Sequence, residues 1–176
     1  MNSLKSYLKP VLVLMVICLV TSGILAVTNK ETAPVIEAAA NAKVEQVRKE
    51  VLPDADNFDE MELSDLPTTV TGVYKASNGV GYVFMLTAKG YGGEMKLICG
   101  MDADGKITGC ETLSQQETQG LGSKTTLPKF RDQFQGKDAS LEGVDTISGA
   151  TISSTAYIKA IKDAFTAYDL AKGAAQ

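Results

Sequence analysis

The residues best suited to chemistry lie in two short segments. Between Asp145 and Ser154 the chain reads DTISGATISS, with five hydroxyl side chains, one carboxylate and the small pair Gly149-Ala150. Apolar residues recur after it at helical spacing, so the cluster stands at a helix N-terminus. Free N–H groups and the positive end of the helix dipole make such a place a natural seat for phosphate. An ordinary Ser/Thr N-cap needs only one hydroxyl; the excess here favours a phosphate-bearing ligand. The second segment is Glu117-Thr118-Gln119-Gly120-Leu121-Gly122, in which two glycines flank one leucine. Its backbone can adopt unusual angles and approach a ligand closely. A plain strand-to-helix turn has the same composition, so taken alone this segment leaves both readings open.

Composition removes many other chemistries. The 176 residues include no histidine, no tryptophan and only three cysteines, Cys18, Cys99 and Cys110. Without histidine there is no His–Asp dyad, no Cys–His pair and no imidazole ligand for zinc or haem. Three scattered cysteines are too few for a thiolate-held Fe–S cluster or a Cys₄ zinc site, so no metal site is expected. A net charge of −4 makes the chain a poor nucleic-acid binder, and no nucleic-acid partner is expected. The stretch from Leu52 to Pro67 is acidic but lacks the D-x-D-x-D-G order of a calcium loop. It reads as a surface loop.

Those segments must be held by a larger framework. Residues 10–29 are free of charge over about 20 positions, the length that spans a bilayer. Lys5 and Lys9 precede them, and Lys30 and Glu31 follow. The positive-inside bias then puts the N-terminus in the cytoplasm and all that follows outside. A cleaved signal peptide has a similar start, but Ile24 two residues before Ala26 is a poor cleavage context. Lipid attachment at Cys18 would need small residues where Val16 and Ile17 stand. The expected organisation is a cytoplasmic N-terminus (1–9), a transmembrane anchor (10–29), a juxtamembrane helix with the acidic loop (30–67) and an extracytoplasmic domain (68–176). Thr32 is placed to cap that helix and Pro34 to open it. Its thin, Ala-rich stripe suits a spacer or a surface helix more than a core element.

From Thr68 the pattern changes to β-like runs over 69–77, 80–90, 94–101 and 106–114, separated by Asn78-Gly79, Gly90 to Gly93 and Asp104-Gly105. These are hairpin signals and give an antiparallel sheet of about four strands. A two-residue turn at Asp104-Gly105 sets Cys99 opposite Cys110, whereas a three-residue loop separates them. Two half-buried thiols are expected there rather than a disulfide. A short helix over Leu127 to Phe134 and a long one over Thr151 to Lys172 complete an α+β domain, with helices on one face of the sheet. Tyr157, Ile158, Ile161, Ala164, Phe165 and Tyr168 form the long helix's core stripe.

The run Asp145-x-x-Ser148-Gly149-Ala150-Thr151 resembles the flavinylation motif D-x-x-[ST]-G-A-[ST] of the FMN-binding domain. That family includes the G subunit of the Rnf complex and the C subunit of the sodium-pumping NADH:quinone reductase. The Glu117-to-Gly122 run resembles the family's ETPGLG segment, which lies close to the flavin. Two departures stand out: Gln119 replaces the usual Pro, and Gln115 or Gln116 stands where many members have His. The resemblance extends from the anchor to the last helix.

What the resemblance implies is specific. A dedicated flavin transferase takes FMN from FAD and joins its phosphate to the hydroxyl of Thr151, giving covalent FMN as the cofactor. Asp145 serves recognition by the transferase, and Ser148, Gly149 and Ala150 shape the acceptor loop. Glu117, Thr118, Gly120, Leu121 and Gly122 lie near the ring. Thr151 is then an attachment point, and no residue is assigned as catalytic. The implied protein is a membrane-anchored electron-transfer subunit of an Rnf-type complex, which relays electrons between ferredoxin and NAD⁺ while the complex moves Na⁺ or H⁺. Its partners are the complex's integral-membrane and Fe–S subunits. The shortness of the chain favours Rnf over the longer quinone-reductase subunit. A free-standing flavinylated carrier and a non-redox binding module are the other readings. The lack of histidine also rules out flavin attachment through C8α to histidine, which favours a hydroxyl as the anchor.

Overall fold

The computed structural model describes residues 2–174 and divides the chain into two compact units, Met1–Ala42 and Lys43–Gln176. Helix α1 is Asn2–Val51 and contains a stretch long and apolar enough to cross a membrane. At about 1.5 Å per residue, the ~30 Å hydrocarbon core takes roughly 20 residues, so only part of this helix is needed as a span. In the first unit, apolar side chains such as Val11, Leu14, Ile17, Leu19 and Ile24 are exposed. The expected break at Thr32 is absent: the helix runs through Pro34, and the Thr32 hydroxyl donates to the Thr28 carbonyl at 2.9 Å instead of capping a new helix. Proline there costs one backbone bond, and on an exposed stretch water can satisfy the freed carbonyl.

The second unit is built on a five-stranded antiparallel meander, β1 (Phe58–Glu60), β2 (Val70–Ala76), β3 (Gly81–Lys89), β4 (Glu94–Asp102) and β5 (Ile107–Ser114), in that spatial order. The extra strand, β1, lies inside the segment expected to be an acidic loop. Phe58, Asp59 and Glu60 pair with Ala76, Lys75 and Tyr74. Three residues with two exposed acids carry too little alternation to be seen without their partner. After β5 come a 3₁₀ turn (Gly122–Thr126), the short α2 (Pro128–Arg131), a second 3₁₀ turn (Asp132–Phe134) and the long α3 (Thr151–Ala174). The single helix expected over Leu127 to Phe134 is thus divided between α2 and the second 3₁₀ turn.

Strand alternation sends side chains to two cores. Phe84, Leu86, Leu97, Cys99 and Met101 face α3, which buries Tyr157, Ile161, Ala164, Phe165 and Tyr168 against them, with Phe130 and Phe134 alongside. Val83 and Ile98 point the other way and pack with Val47, Val51, Leu52 and Ala55. Both faces of the sheet are therefore covered. The expectation of helices on one face is corrected; of the segment before Val51, read as a spacer or a surface helix, the last turn lies on the sheet and forms a second apolar layer. Gly100 permits the close approach, since a Cβ there would strike the Val51 carbonyl, and the Thr108 hydroxyl donates to that carbonyl.

The β4–β5 connection is a three-residue loop closed by the Asp102 N–H donating to the Lys106 carbonyl at 2.9 Å, with Gly105 at φ 80°. Cys99 still faces Cys110, because the ladder skips Thr108 between the Gly100–Gly109 and Met101–Ile107 pairs. This bulge restores the register that the loop had shifted. The two sulfurs lie 3.4 Å apart as free, buried thiols. Burial, and then the neighbouring Cys99 thiol, pushes the Cys110 thiol well above its usual range, so it is a packing group and not a nucleophile.

Candidate functional site

Helix α3 begins at Thr151, and its first regular bond is the Ser154 N–H donating to the Ala150 carbonyl at 3.0 Å. The N–H groups of Thr151, Ile152 and Ser153 have no acceptor one turn back and open toward the chain before the helix. That chain is folded tightly. The Ala150 N–H donates to the Ile147 carbonyl at 2.9 Å, Gly149 holds φ 80°, and the Ser154 hydroxyl accepts the Ile147 N–H at 3.2 Å. Ala150 stands at the cap position with no side-chain oxygen, so its own side chain does not cap the helix start.

Facing this helix start is the chain that follows β5. Glu117, only 9% exposed, turns its carboxylate inward. One oxygen accepts the Gly92 N–H at 3.0 Å, and the other accepts the Ser153 hydroxyl at 2.5 Å. Both donors are uncharged, but hydrogen bonds to a carboxylate are about twice as strong as neutral ones, and the positive end of α3 lies beside it. The packing around it requires glycine: a Cβ at Gly90 or at Gly122 would fall on the Glu117 carboxylate.

These parts enclose a cavity of about 450 Å³ lined by Tyr91, Glu117, Thr118, Leu121, Gly122, Gly149, Ala150, Thr151, Ile152 and Ser153. The volume lies within the roughly 300–1,000 Å³ of small-molecule sites. Of the residues singled out in the sequence, Glu117, Thr118, Leu121, Gly122, Gly149, Ala150 and Thr151 meet here, although the two segments are some 30 positions apart. Asp145 and Ser148 line an adjoining cavity of about 640 Å³ with Lys124, Leu127, Lys129 and Gln133. The Asp145 N–H is held by the Gln133 side-chain oxygen at 2.9 Å. Gly120, at φ 78°, lines neither; its N–H donates to the Ser123 hydroxyl at 2.9 Å and shapes the turn. Of the five hydroxyls, Ser153 and Ser154 are buried in internal bonds, while Thr146, Ser148 and Thr151 are exposed.

Tyr91, Ile152 and Ser153 also line the cavity, and sequence reasoning does not assign them to it. Tyr91 lies inside a Gly-rich run whose pattern gives only a hairpin turn. Its isolation between glycines is the available signal, since an aromatic gains nothing from a turn position unless something covers it.

Comparison with known proteins adds independent findings. A model of the FMN-binding domain matches residues 90–166, and a model of the RnfG N-terminal region matches residues 1–51. The chain is 34% identical to the G subunit of the ion-translocating oxidoreductase complex of Methanosarcina acetivorans, over 93% of this chain and 95% of that one. It is 36% identical to the G subunit of the Na⁺-translocating ferredoxin:NAD⁺ oxidoreductase complex of Acetobacterium woodii, over 85% of this chain and 79% of that one. A solved structure, the C subunit of the Na⁺-translocating NADH-quinone reductase of Parabacteroides distasonis, superposes with TM-score 0.46 at 26% identity, covering 57% of this chain and 60% of that one.

Proposed function

This chain belongs to the family of G subunits of Rnf-type ion-translocating oxidoreductase complexes, and from that premise we propose that it relays electrons through FMN joined by a phosphoester to Thr151. Two relatives are subunits of ferredoxin:NAD⁺ oxidoreductases, one Na⁺-translocating and one proton-translocating. The electron-transfer role within such a complex follows from the family, and FMN from the FMN-binding domain.

The residues fit the group. Thr151 stands exposed at the first position of α3, on the rim of a cavity of suitable volume. The free N–H groups of that first turn can hold the single charge an esterified phosphate keeps. Leu121 and Ile152 offer apolar surface to a flat ring. Bound there, FMN would supply reversible electron transfer, which no side chain in this cavity offers. The chain's own part is to hold the phosphate, orient the ring and set the polarity around it. On this reading the Thr151 hydroxyl would accept the FMN phosphate from FAD, with AMP as the leaving group carrying away the hydroxyl proton. Asp145 and Ser148, on the neighbouring exposed surface, are suited to recognition by the flavin transferase.

The remaining organisation follows the same reading. Residues 10–29 form the span, residues 1–9 face the cytoplasm because of Lys5 and Lys9, and the FMN domain from 68 onward lies outside. The integral-membrane and Fe–S subunits of the complex are its partners. No acidic or basic side chain lies between residues 10 and 29, so ion passage runs through those partners.

The observation that carries the proposal is Thr151 set at the helix start where the two sequence segments meet. Co-expression with a flavin transferase, followed by denaturing electrophoresis, tests it. The wild-type band should fluoresce as flavin, Thr151→Ser should retain the signal, and Thr151→Ala should be dark. A dark wild-type band, or a Thr151→Ala band as bright as wild type, refutes attachment at this residue. Isolation from native membranes without integral-membrane and Fe–S partners would refute the assignment to a complex.

A further inference from the structure

Tyr91 is 76% exposed at the tip of the β3–β4 turn, beside Leu121 at 46% and Ile152 at 59% on the same cavity. Single exposed apolar residues are ordinary, but three around one concave site mark a surface built to be covered. The turn beneath Tyr91 is held in place. The Gly90 N–H donates to the Gly93 carbonyl at 2.8 Å, and the Gly92 N–H donates to Glu117. Gly92 lies so close to the next segment that a Cβ would strike the Gln116 carbonyl. Glu117 in turn binds Ser153, two residues beyond Thr151. One buried carboxylate thus ties the turn carrying Tyr91 to the helix carrying the attachment point.

We propose that Tyr91 is the aromatic wall on which the flavin ring stacks, and that Glu117 is the positioning residue that holds Tyr91 at the right place relative to Thr151. The inference rests on the reading of this cavity as an FMN site. A ring tethered through its ribityl phosphate at the helix start needs a second contact to fix its orientation. A flat aromatic on a pinned turn provides it without losing much conformational freedom, because the turn is already ordered. Glu117 acts through geometry: its carboxylate is turned away from the opening and engaged with Gly92 and Ser153.

The test uses the full-length protein in detergent, flavinylated by co-expression, as wild type, Tyr91→Leu, Tyr91→Trp, Glu117→Ala and Glu117→Gln. Denatured fluorescence reports how much flavin is attached; the ratio of native to denatured fluorescence and the midpoint potential report how the ring sits. A stacked phenol or indole quenches an excited flavin by transient electron donation, so Tyr91→Leu should raise the native ratio several-fold and shift the potential, while Tyr91→Trp keeps the ratio low. Glu117→Ala should raise the ratio although Glu117 is not in the stack. Glu117→Gln, which can still accept from Gly92 and donate to Ser153, should restore it. An unchanged ratio and potential in Tyr91→Leu, with flavin attached, overturns the proposal. If the wild type carries no covalent flavin, the attachment reading fails on its own. Added FMN then decides for Tyr91: quenching by wild type that is lost in Tyr91→Leu supports the stack, and equal fluorescence with both proteins refutes it.

Discussion

Gly122→Ala is the substitution in which the proposed organisation of the site can be weighed most directly. The φ of Gly122 lies outside the left-handed region, so alanine is allowed by the backbone. On conformational entropy alone the change should stabilise the fold by about 0.4–1 kcal/mol. The structure predicts the opposite. The new Cβ would fall on the Glu117 carboxylate and within 2.8 Å of the Ser153 hydroxyl, so the carboxylate must leave its seat and release both Gly92 and Ser153. Each hydrogen bond to a charged group contributes about 1.5–3 kcal/mol, part of which water returns once Glu117 reaches solvent. The net cost is about 2–4 kcal/mol after the entropic gain is subtracted. Gly120→Ala is the control: Gly120 is left-handed with open space around it, so alanine there costs only the backbone penalty of about 1–2 kcal/mol. Urea unfolding of the full chain in detergent, followed by tyrosine fluorescence, measures both. The deciding step is the double-mutant cycle. In a Glu117→Ala background the cost of Gly122→Ala should fall to near zero, a coupling of at least about 1.5 kcal/mol. If Gly122→Ala costs as much in that background as alone, or no more than Gly120→Ala, the carboxylate does not organise the glycines and the reasoning fails.

Two further outcomes follow from the cores. The Tyr157 hydroxyl is buried near the Thr112 hydroxyl without a well-formed hydrogen bond to it, its ring lying 5.3 Å and 5.4 Å from Phe130 and Phe134, and burial pushes its phenol well above the usual range. Below pH 10 neither the folded nor the unfolded phenol is ionised. Above it the unfolded chain releases its proton first, so stability falls as pH rises. Tyr157→Phe should add about 1 kcal/mol at neutral pH and flatten the alkaline decline; urea midpoints equal to wild type from neutral to alkaline pH would contradict this. Leu52, 2% exposed in the second apolar layer, should cost about 2–5 kcal/mol on replacement by alanine. An unchanged midpoint would mean that the layer formed by the end of α1 adds nothing to the domain.

Much of the framework was legible because it is written in local periodicity. The charge-free run of residues 10–29, the alternation of β2 to β5 and the stripe of α3 each belong to one element and need no partner to be seen. The features that escaped are those a partner creates. β1 is a strand only because β2 lies beside it. The helix before Val51 joins a core only because both faces of the sheet are apolar, which Val83 and Ile98 show once the strands are aligned. Cys99 and Cys110 face one another through a bulge at Thr108, whose hydroxyl answers the carbonyl at the end of α1.

The site divides along the same line. The sequence by itself determined which groups could hold a phosphate: with no histidine and no cysteine cluster, the hydroxyls and small residues between Asp145 and Ser154, at the mouth of a helix, were present in one short run. Only the tertiary structure decided what surrounds Thr151. Glu117 meets partners 25 positions before it and 36 after it, and Tyr91 arrives at the cavity on a turn between strands. Such contacts depend on how the meander lays its β3–β4 turn and the chain after β5 against the start of α3. Backbone pairing and close packing fix that arrangement, and no local pattern of residue types encodes it.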